Sequence, residues 1–289
     1  MNHPEPVLTA LSYVKRLSGT TLLIKLGGAA LQNSEHFDSL KTDLALLRDV
    51  GISVVLVHGG GPAINAELSS RGITWEFIDG QRVTTPEMME VIENVLGGTV
   101  NRHIVRSLNL AGIPAVGFSG IEARTLRCRP AGSKLGQVGV IEEVDTSLIR
   151  SILHAQTKDG HGAIPVSAPI GVGSDGQTFN INADWAASRI AQALGIKKVL
   201  FLTDQNGILD AEGNVVPELD ASELQGYIDN QVVKGGMLTK TRTILDALNN
   251  GVSTIHIING QKPHALVSEL FTDEGAGTIC RLRSRAVLP

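Results

Sequence analysis

TLLIKLGGAAL (residues 21–31) and ISVVLVHGGGPAI (residues 52–64) share one plan, an aliphatic and β-branched run that ends in a cluster of glycines. Glycine at a strand end either supplies a backbone angle other residues avoid or clears space for a ligand to reach main-chain N–H groups. The second use predicts an anionic ligand, because a helix that follows adds its N-terminal N–H groups and its dipole. Alone, either cluster reads as a plain strand-to-helix turn. Two of them shift the reading toward a ligand site, and the residues around them decide its kind.

Outward from these runs, hydrophobic periodicity places a helix over 7–17, a strand over 22–26 and a helix over 37–50. A strand over 53–57, a helix over 62–70, a long helix opened by Pro86 and reaching Leu110, and a strand over 113–118 follow. Between 123 and 141, Pro130, Gly132, Gly136 and Gly139 break the pattern into hairpins at the rim of the sheet. The rhythm resumes with helix 146–155, strand 163–167, helix 182–194, strand 198–202, helix 239–249, strand 254–258 and helix 264–271. This order predicts an α/β protein, a three-layer αβα sandwich on a mostly parallel central sheet. No repeat or low-complexity linker divides the chain, so the expected parts share one sheet: an N-terminal amphipathic helix over 1–20, a lobe over 21–195 and a lobe over 196–289.

Composition narrows the function. The 289 residues are 42% hydrophobic and 19% charged, the balance of a globular protein. A net charge of −4 and 3% aromatic residues argue against a nucleic-acid surface. No run approaches the length of a membrane span and residues 1–19 lack a secretory apolar segment, so a cytoplasmic protein is expected. Cys128 and Cys280 form no pair of metal or redox spacing, and the eight histidines include no HExxH, so no protein-bound metal is expected.

Single motifs leave the chemistry open. GVGSDG (171–176) fits GxGxxG, yet QTFNINAD follows where a helix should open, which favours a glycine-rich hairpin turn over a dinucleotide loop. A Walker A loop is excluded, since the chain has no Gly-Lys dipeptide. Lys25 lies inside an apolar run at a strand end, where α/β proteins place ligands, but a snorkelling side chain reads the same way. Arg82 in DGQRVT offers a planar fork to a carboxylate or is simply solvated. Asn182 or Asp184 caps a helix, and Lys240 in KGGMLTK is ambiguous by itself.

The combination is specific. IKLGG, HGGGP, GQRVT, NINAD, LTDQNGILD and KGGMLTK occur in the order of the amino acid kinase family, which the chain resembles from about residue 22 to 278. SYVKRLSGTTLLIKLGG and HALVSELFTDEGAGT resemble the arginine-inhibited branch that phosphorylates N-acetyl-L-glutamate. The resemblance implies that Lys25 and Lys240 stabilise the transferring phosphoryl group and that Asp184 holds both lysines. It implies backbone N–H groups from Gly27 and Gly28 toward the phosphoryl group and from Gly60 and Gly61 toward the substrate, with Arg82 and Asn180 on the amino-acid end of acetylglutamate. Asp204, Gly207, Leu209, Gly236 and Met237 would line the ATP site, with Mg2+ arriving on the nucleotide. The chain departs from the family in having SGIEA (119–123) for SGKDG, and Thr239 for proline or valine.

Such a reaction suits these residues. A carboxylate acceptor with a pKa of ~4.3 is already ionised at neutral pH, so no general base is needed. The obstacle is repulsion, about 4 kcal/mol for two unit charges ~4 Å apart at an effective dielectric of ~20. Two lysines, glycine N–H groups and Mg2+ oppose it. Two other functions fit the resemblance: a kinase for another acyl acceptor, such as carrier-linked aminoadipate, and a catalytically silent arginine sensor. The acidic chain advertises no basic docking surface for a carrier, and a silent sensor has no use for Lys25, Asp184 and Lys240 together.

In the N-terminal segment, Tyr13, Leu17, Ala10, Val14, Val7 and Leu11 fall on an arc of about 160° at ~100° per residue. This stripe packs on its own domain or pairs with a neighbouring subunit. The resemblance implies pairing that links homodimers into a hexameric trimer of dimers, with L-arginine bound between this helix and SELFTDEGAG (268–277) through Tyr13 and Glu269.

Overall fold

Thr21–Leu26 and Ser53–His58 are adjacent parallel strands, with Leu22 opposite Val54 and Leu26 opposite His58. On the other side Thr21–Leu26 pairs in parallel with Lys198–Thr203. The computed structural model describes residues 5–31 and 33–283, so residues 1–4 of the expected N-terminal segment and 284–289 of the expected second lobe lie outside it. The full sheet has eight strands in the order Glu218–Asp220, Gly277–Arg281, Thr254–Asn259, Lys198–Thr203, Thr21–Leu26, Ser53–His58, Ile164–Ala168, Ala115–Ser119. All neighbours run parallel except Thr254–Asn259 with Gly277–Arg281.

Alternation along the central strands feeds two cores. Leu23, Val55, Val57, Val199 and Phe201 bury one face, covered by Ala186, Ala187, Ile190 and Ala191 of helix Ala183–Leu194 and by Ile244 and Leu248 of helix Gly235–Asn249. Leu22, Ile24, Leu26, Leu56 and Leu200 bury the other, covered by helices Ser34–Asp49, Asn101–Leu110 and Ala265–Phe271. Burial of both faces is why the strands read as continuous apolar runs, and the outcome is the expected three-layer αβα sandwich.

The rim carries a second sheet, Thr178–Asn180, Ile170–Val172, Leu126–Pro130 and Gly139–Val144 in that order, and a two-stranded hairpin of Phe77–Ile78 with Gln81–Arg82. GVGSDG is the hairpin turn between Ile170–Val172 and Thr178–Asn180, closed by the Gly173 N–H donating to Gln177 O at 2.8 Å. The long helix expected over 86–110 is α-helical over Pro86–Glu93, a π-helical turn over Asn94–Val100 and α-helical again over Asn101–Leu110. Asn182, not Asp184, caps the helix Ala183–Leu194, its side chain accepting from Asp184 N at 2.9 Å. Among the described residues no helix is long and apolar enough to cross a membrane.

Candidate active site

Lys25 is the fifth residue of its strand and shares the face of Leu23, so it points toward the helix Ala183–Leu194 that covers that face. Asp184 sits in the first turn of that helix, where a negative charge is favoured. Lys240 lies in the second turn of helix Gly235–Asn249. Their ends meet: Lys240 Nζ donates to Asp184 Oδ2 at 2.6 Å, and Lys25 Nζ lies 2.9 Å from Oδ1, close enough for an ion pair but off the axis of a hydrogen bond. Lys240 Nζ is also 5.1 Å from the centre of the Phe201 ring.

Burial by itself would raise the Asp184 carboxyl, but the ammonium charges of Lys240 and Lys25 outweigh it and hold the group well below the usual carboxylate range. Burial pulls Lys240 down, against the attraction of Asp184, and Lys25 adds a like-charge push in the same direction. The cluster thus gathers two ammonium groups around one carboxylate, a net positive charge suited to an anion.

Two cavities meet there. One, of about 570 Å3, is lined by Asp204, Gly207, Leu209, Gly236 and Met237, all expected at the nucleotide, together with Asp184 and Lys240. Thr203, Val232, Val233 and Lys234 also line it. Of these, Thr203 lies within LTDQNGILD and Lys234 opens KGGMLTK, whereas Val232 and Val233 carried no readable signal. The second cavity, of about 340 Å3, is lined by Lys25, Gly60, Gly61, Arg82, Asn180 and Asp184. Both volumes lie in the range of small-molecule sites.

Arg82 is buried against Trp75 and Phe77, 5.3 and 4.8 Å from their ring centres. One guanidinium nitrogen, Nη2, donates to Asn65 Oδ1, while Nη1 has no partner among the described residues. Burial lowers the pKa of the guanidinium, and a carboxylate would satisfy the open arm. Asn180 Nδ2 donates to Thr84 Oγ1 at 3.1 Å.

The glycines divide the work. The Gly27 N–H donates to Leu202 O at 2.8 Å, and a Cβ there would stand 2.8 Å from the same oxygen, so Gly27 continues the sheet ladder and contributes by its missing side chain. A Cβ on Gly28 would meet Pro62 Cδ at 2.6 Å and one on Gly60 would meet Leu96 Cδ2 at 2.4 Å. The two clusters therefore lie against each other and the following helix. The N–H groups of Gly28, Gly60 and Gly61 donate to no group among the described residues.

A third cavity, of about 750 Å3, lies away from the lysines between the N-terminal helix Glu5–Leu17 and the C-terminal segment, and both Tyr13 and Glu269 line it. Tyr13 OH donates to Asp273 Oδ1 at 2.6 Å. Glu269 is buried, with Oε1 against His256 Nδ1 and Oε2 accepting from Ala276 N at 2.6 Å. His256 and Lys198, whose Nζ lies 2.9 Å from His256 Nε2, line the same space and were not singled out by the sequence. Burial lowers the Lys198 ammonium to about 8.

This arrangement defines a class: an α/β phosphotransferase with two cavities joined at a lysine–aspartate–lysine bridge. The sequence profile of the amino acid kinase family matches residues 20–259, and the chain belongs to that family. It is 43% identical over 272 residues to the acetylglutamate kinase of Ruegeria pomeroyi, covering 94% of this chain and 93% of that one. It is 40% identical to the acetylglutamate kinase of Neisseria gonorrhoeae over 278 residues, 93% of this chain and 91% of the other. Among solved structures it is similar to the N-acetylglutamate synthase of Neisseria gonorrhoeae complexed with coenzyme A and N-acetyl-glutamate, with a TM-score of 0.85 and 27% identity. That match covers 99% of this chain, which spans only 65% of the synthase. The same synthase complexed with coenzyme A and L-arginine gives a TM-score of 0.83 at 26% identity, covering 98% of this chain and 66% of that one.

Proposed function

We propose that this chain transfers the γ-phosphate of MgATP to the γ-carboxylate of N-acetyl-L-glutamate, giving N-acetyl-L-glutamyl 5-phosphate for arginine biosynthesis in the cytoplasm. The observation that carries this reading is the Lys25–Asp184–Lys240 bridge at the junction of the two cavities. The lobe over 196–289 would hold ATP and the lobe over 21–195 the acceptor. Lys240 reaches the transferring group from the donor side and Lys25 from the acceptor side, with Asp184 fixing their separation. Gly28, Gly60 and Gly61 offer N–H groups, and the open arm of Arg82 takes the acceptor's α-carboxylate beside Asn180. Mg2+ bound to the nucleotide supplies further charge neutralisation at the phosphates, and Asp204, whose charge Lys240 feels, is the residue that would face it.

An assay with ATP and a panel of acyl amino acids, trapping the acyl phosphate with hydroxylamine, tests the reading. Hydroxamate from acetylglutamate is the expected result. Turnover of aminoadipate derivatives without acetylglutamate would overturn it.

We further infer that arginine inhibits the enzyme from the cavity bounded by Tyr13 and Glu269. The similar synthase has been solved complexed with coenzyme A and L-arginine, and the carboxylate of Glu269 retains acceptor capacity beyond its two present contacts. The N-terminal stripe supports assembly of dimers into a hexamer. Ala10, Tyr13, Val14 and Leu17 pack on the chain's own core, whereas Val7, Leu8 and Leu11 are 62%, 61% and 57% exposed. Deleting residues 1–17 should leave dimers that phosphorylate acetylglutamate with a weakened response to arginine. Light scattering and inhibition curves check both halves, and a full-length dimer indifferent to millimolar arginine rejects the inference.

A further inference from the structure

His58 ends the second glycine-bearing strand and is fully buried, yet the phosphoryl-transfer chemistry makes no use of it. Its ring lies between two partners. Nδ1 is 2.9 Å from Gly59 O, and Nε2 is 3.2 Å from Asn101 Nδ2. The Asn101 amide cannot be turned over, because Nδ2 also lies 2.9 Å from Val166 O, which can only accept. A donor therefore faces Nε2, so Nε2 must carry the lone pair and Nδ1 the proton. The chain of bonds is complete: Asn101 donates to Val166 O and to His58 Nε2, and His58 Nδ1–H donates to Gly59 O.

The π-helical turn makes this reach available. Asn101 N–H donates to Leu96 O, five residues back, which brings the two residues onto one side of the helix. On an unbroken α-helix they would be about 140° apart. Leu96 then covers Gly60 while Asn101 reaches His58. A Cβ at Gly117 would fall 1.9 Å from Asn101 Oδ1, so the strand Ala115–Ser119 is bare where the amide passes.

We propose that His58 and Asn101 are positioning residues for the acceptor site, with Asn101 locking His58 in the neutral Nδ1–H tautomer and that N–H fixing the Gly59 carbonyl. In a trans peptide the carbonyl and the following N–H point in opposite directions. Holding Gly59 C=O on the histidine therefore turns the Gly60 N–H, which has no partner among the described residues, toward the cavity that Gly60 lines. The inference rests on the assignment of that cavity to the acceptor carboxylate. An imidazolium would set an N–H of His58 against the N–H of Asn101, and burial correspondingly lowers this histidine to about 4. No ionised side chain among the described residues contributes to that shift.

Two measurements test the proposal. Nitrogen-15 NMR of the histidine rings in the unmodified protein, with His58 assigned from the peak missing in His58→Asn, should show a protonated Nδ1 and a bare Nε2 from pH 6 to 8. An Nε2–H tautomer or an imidazolium in that range would falsify the lock, whether or not acetylglutamate is the substrate and whether or not a variant folds. In kinetics, His58→Asn places an N–H donor near Nδ1, whereas His58→Gln places its amide near Nε2. Asn should hold the acetylglutamate KM within about threefold and Gln should raise it about tenfold or more, both with the ATP KM unchanged. Equal effects of the two replacements, or equal rises in both KM values, reject a positioning role. Absence of acetylglutamate turnover by the unmodified enzyme would instead reject the acceptor assignment and leave the tautomer result standing.

Discussion

Asp184 balances two ammonium groups with one carboxylate, so a single residue fixes the position of both lysines. Lys240→Ala leaves Asp184 its contact with Lys25, and the fold should survive. With a positive charge gone from the transition state, kcat should fall by about two to four orders of magnitude. Turnover measured beside circular dichroism checks this, and near-normal kcat would refute the role. Arg82→Ala differs in kind. It removes a charge-assisted contact worth roughly 1.5–3 kcal/mol, so the acetylglutamate KM should rise about ten- to a hundredfold or more while the ATP KM stays put; a matched rise in both would place Arg82 elsewhere. None of these residues declared a role on its own: Lys25 alone could be a snorkelling lysine and Asp184 alone a helix cap. The ordered motifs singled out residues 25, 184 and 240 together, and the fold brings the three side chains into contact.

At the scale of elements, the runs with both faces buried were the most legible, and the short ones were not. Glu218–Asp220 is a three-residue edge strand, and Gly277–Arg281, paired between it and Thr254–Asn259, is only five residues long, too brief for a period to emerge. Helix Ala221–Asp229 did carry a readable signal, the capping box in which Asp220 and Glu223 bond each other's backbone N–H. The π-helical turn has no comparable mark beyond Gly97 and Gly98 within it, because hydrophobic period alone does not separate a widened turn from a regular one. The hairpin holding Arg82 also meets Thr239. Thr239 Oγ1 donates to Asp79 O at 3.3 Å, tying the nucleotide-side helix to the hairpin beside Gly80. Valine cannot make that bond. Thr239→Val should therefore weaken any enhancement of acetylglutamate binding by a non-hydrolysable ATP analogue, by less than about fivefold for one exposed bond. Calorimetric titrations with and without the analogue measure it. The same ratio in variant and parent would show that this bond carries no coupling.

For the whole molecule, both cavities open at the C-terminal ends of parallel strands in one continuous sheet, the position a parallel α/β order predicts for ligands. That economy places ionisable groups deep in the layers, and stability inherits their protonation. His58 is held down to about 4 by burial, and His256 is also lowered, by burial first and then by Lys198 against the pull of Glu269. An unfolded chain binds protons at these rings below about pH 6.5 while the folded one does not. The unfolded state therefore gains as pH falls. The stabilisation is fully present above about 6.5 and is lost progressively toward pH 4, on the order of 3 kcal/mol over that window from His58 alone. Asp184, held low by its lysines, adds a loss in the same direction once pH drops below the ordinary carboxylate range. Asp43, raised by burial, opposes the trend at the acid end. Urea unfolding at pH 7.5, 5.5 and 4.5 should give steadily smaller free energies with little change in the denaturant slope. His58→Asn should flatten part of that decline, since asparagine has no proton to gain on unfolding. A free energy unchanged between pH 7.5 and 4.5 would mean that the buried histidines are protonated as readily in the folded protein as in the unfolded chain.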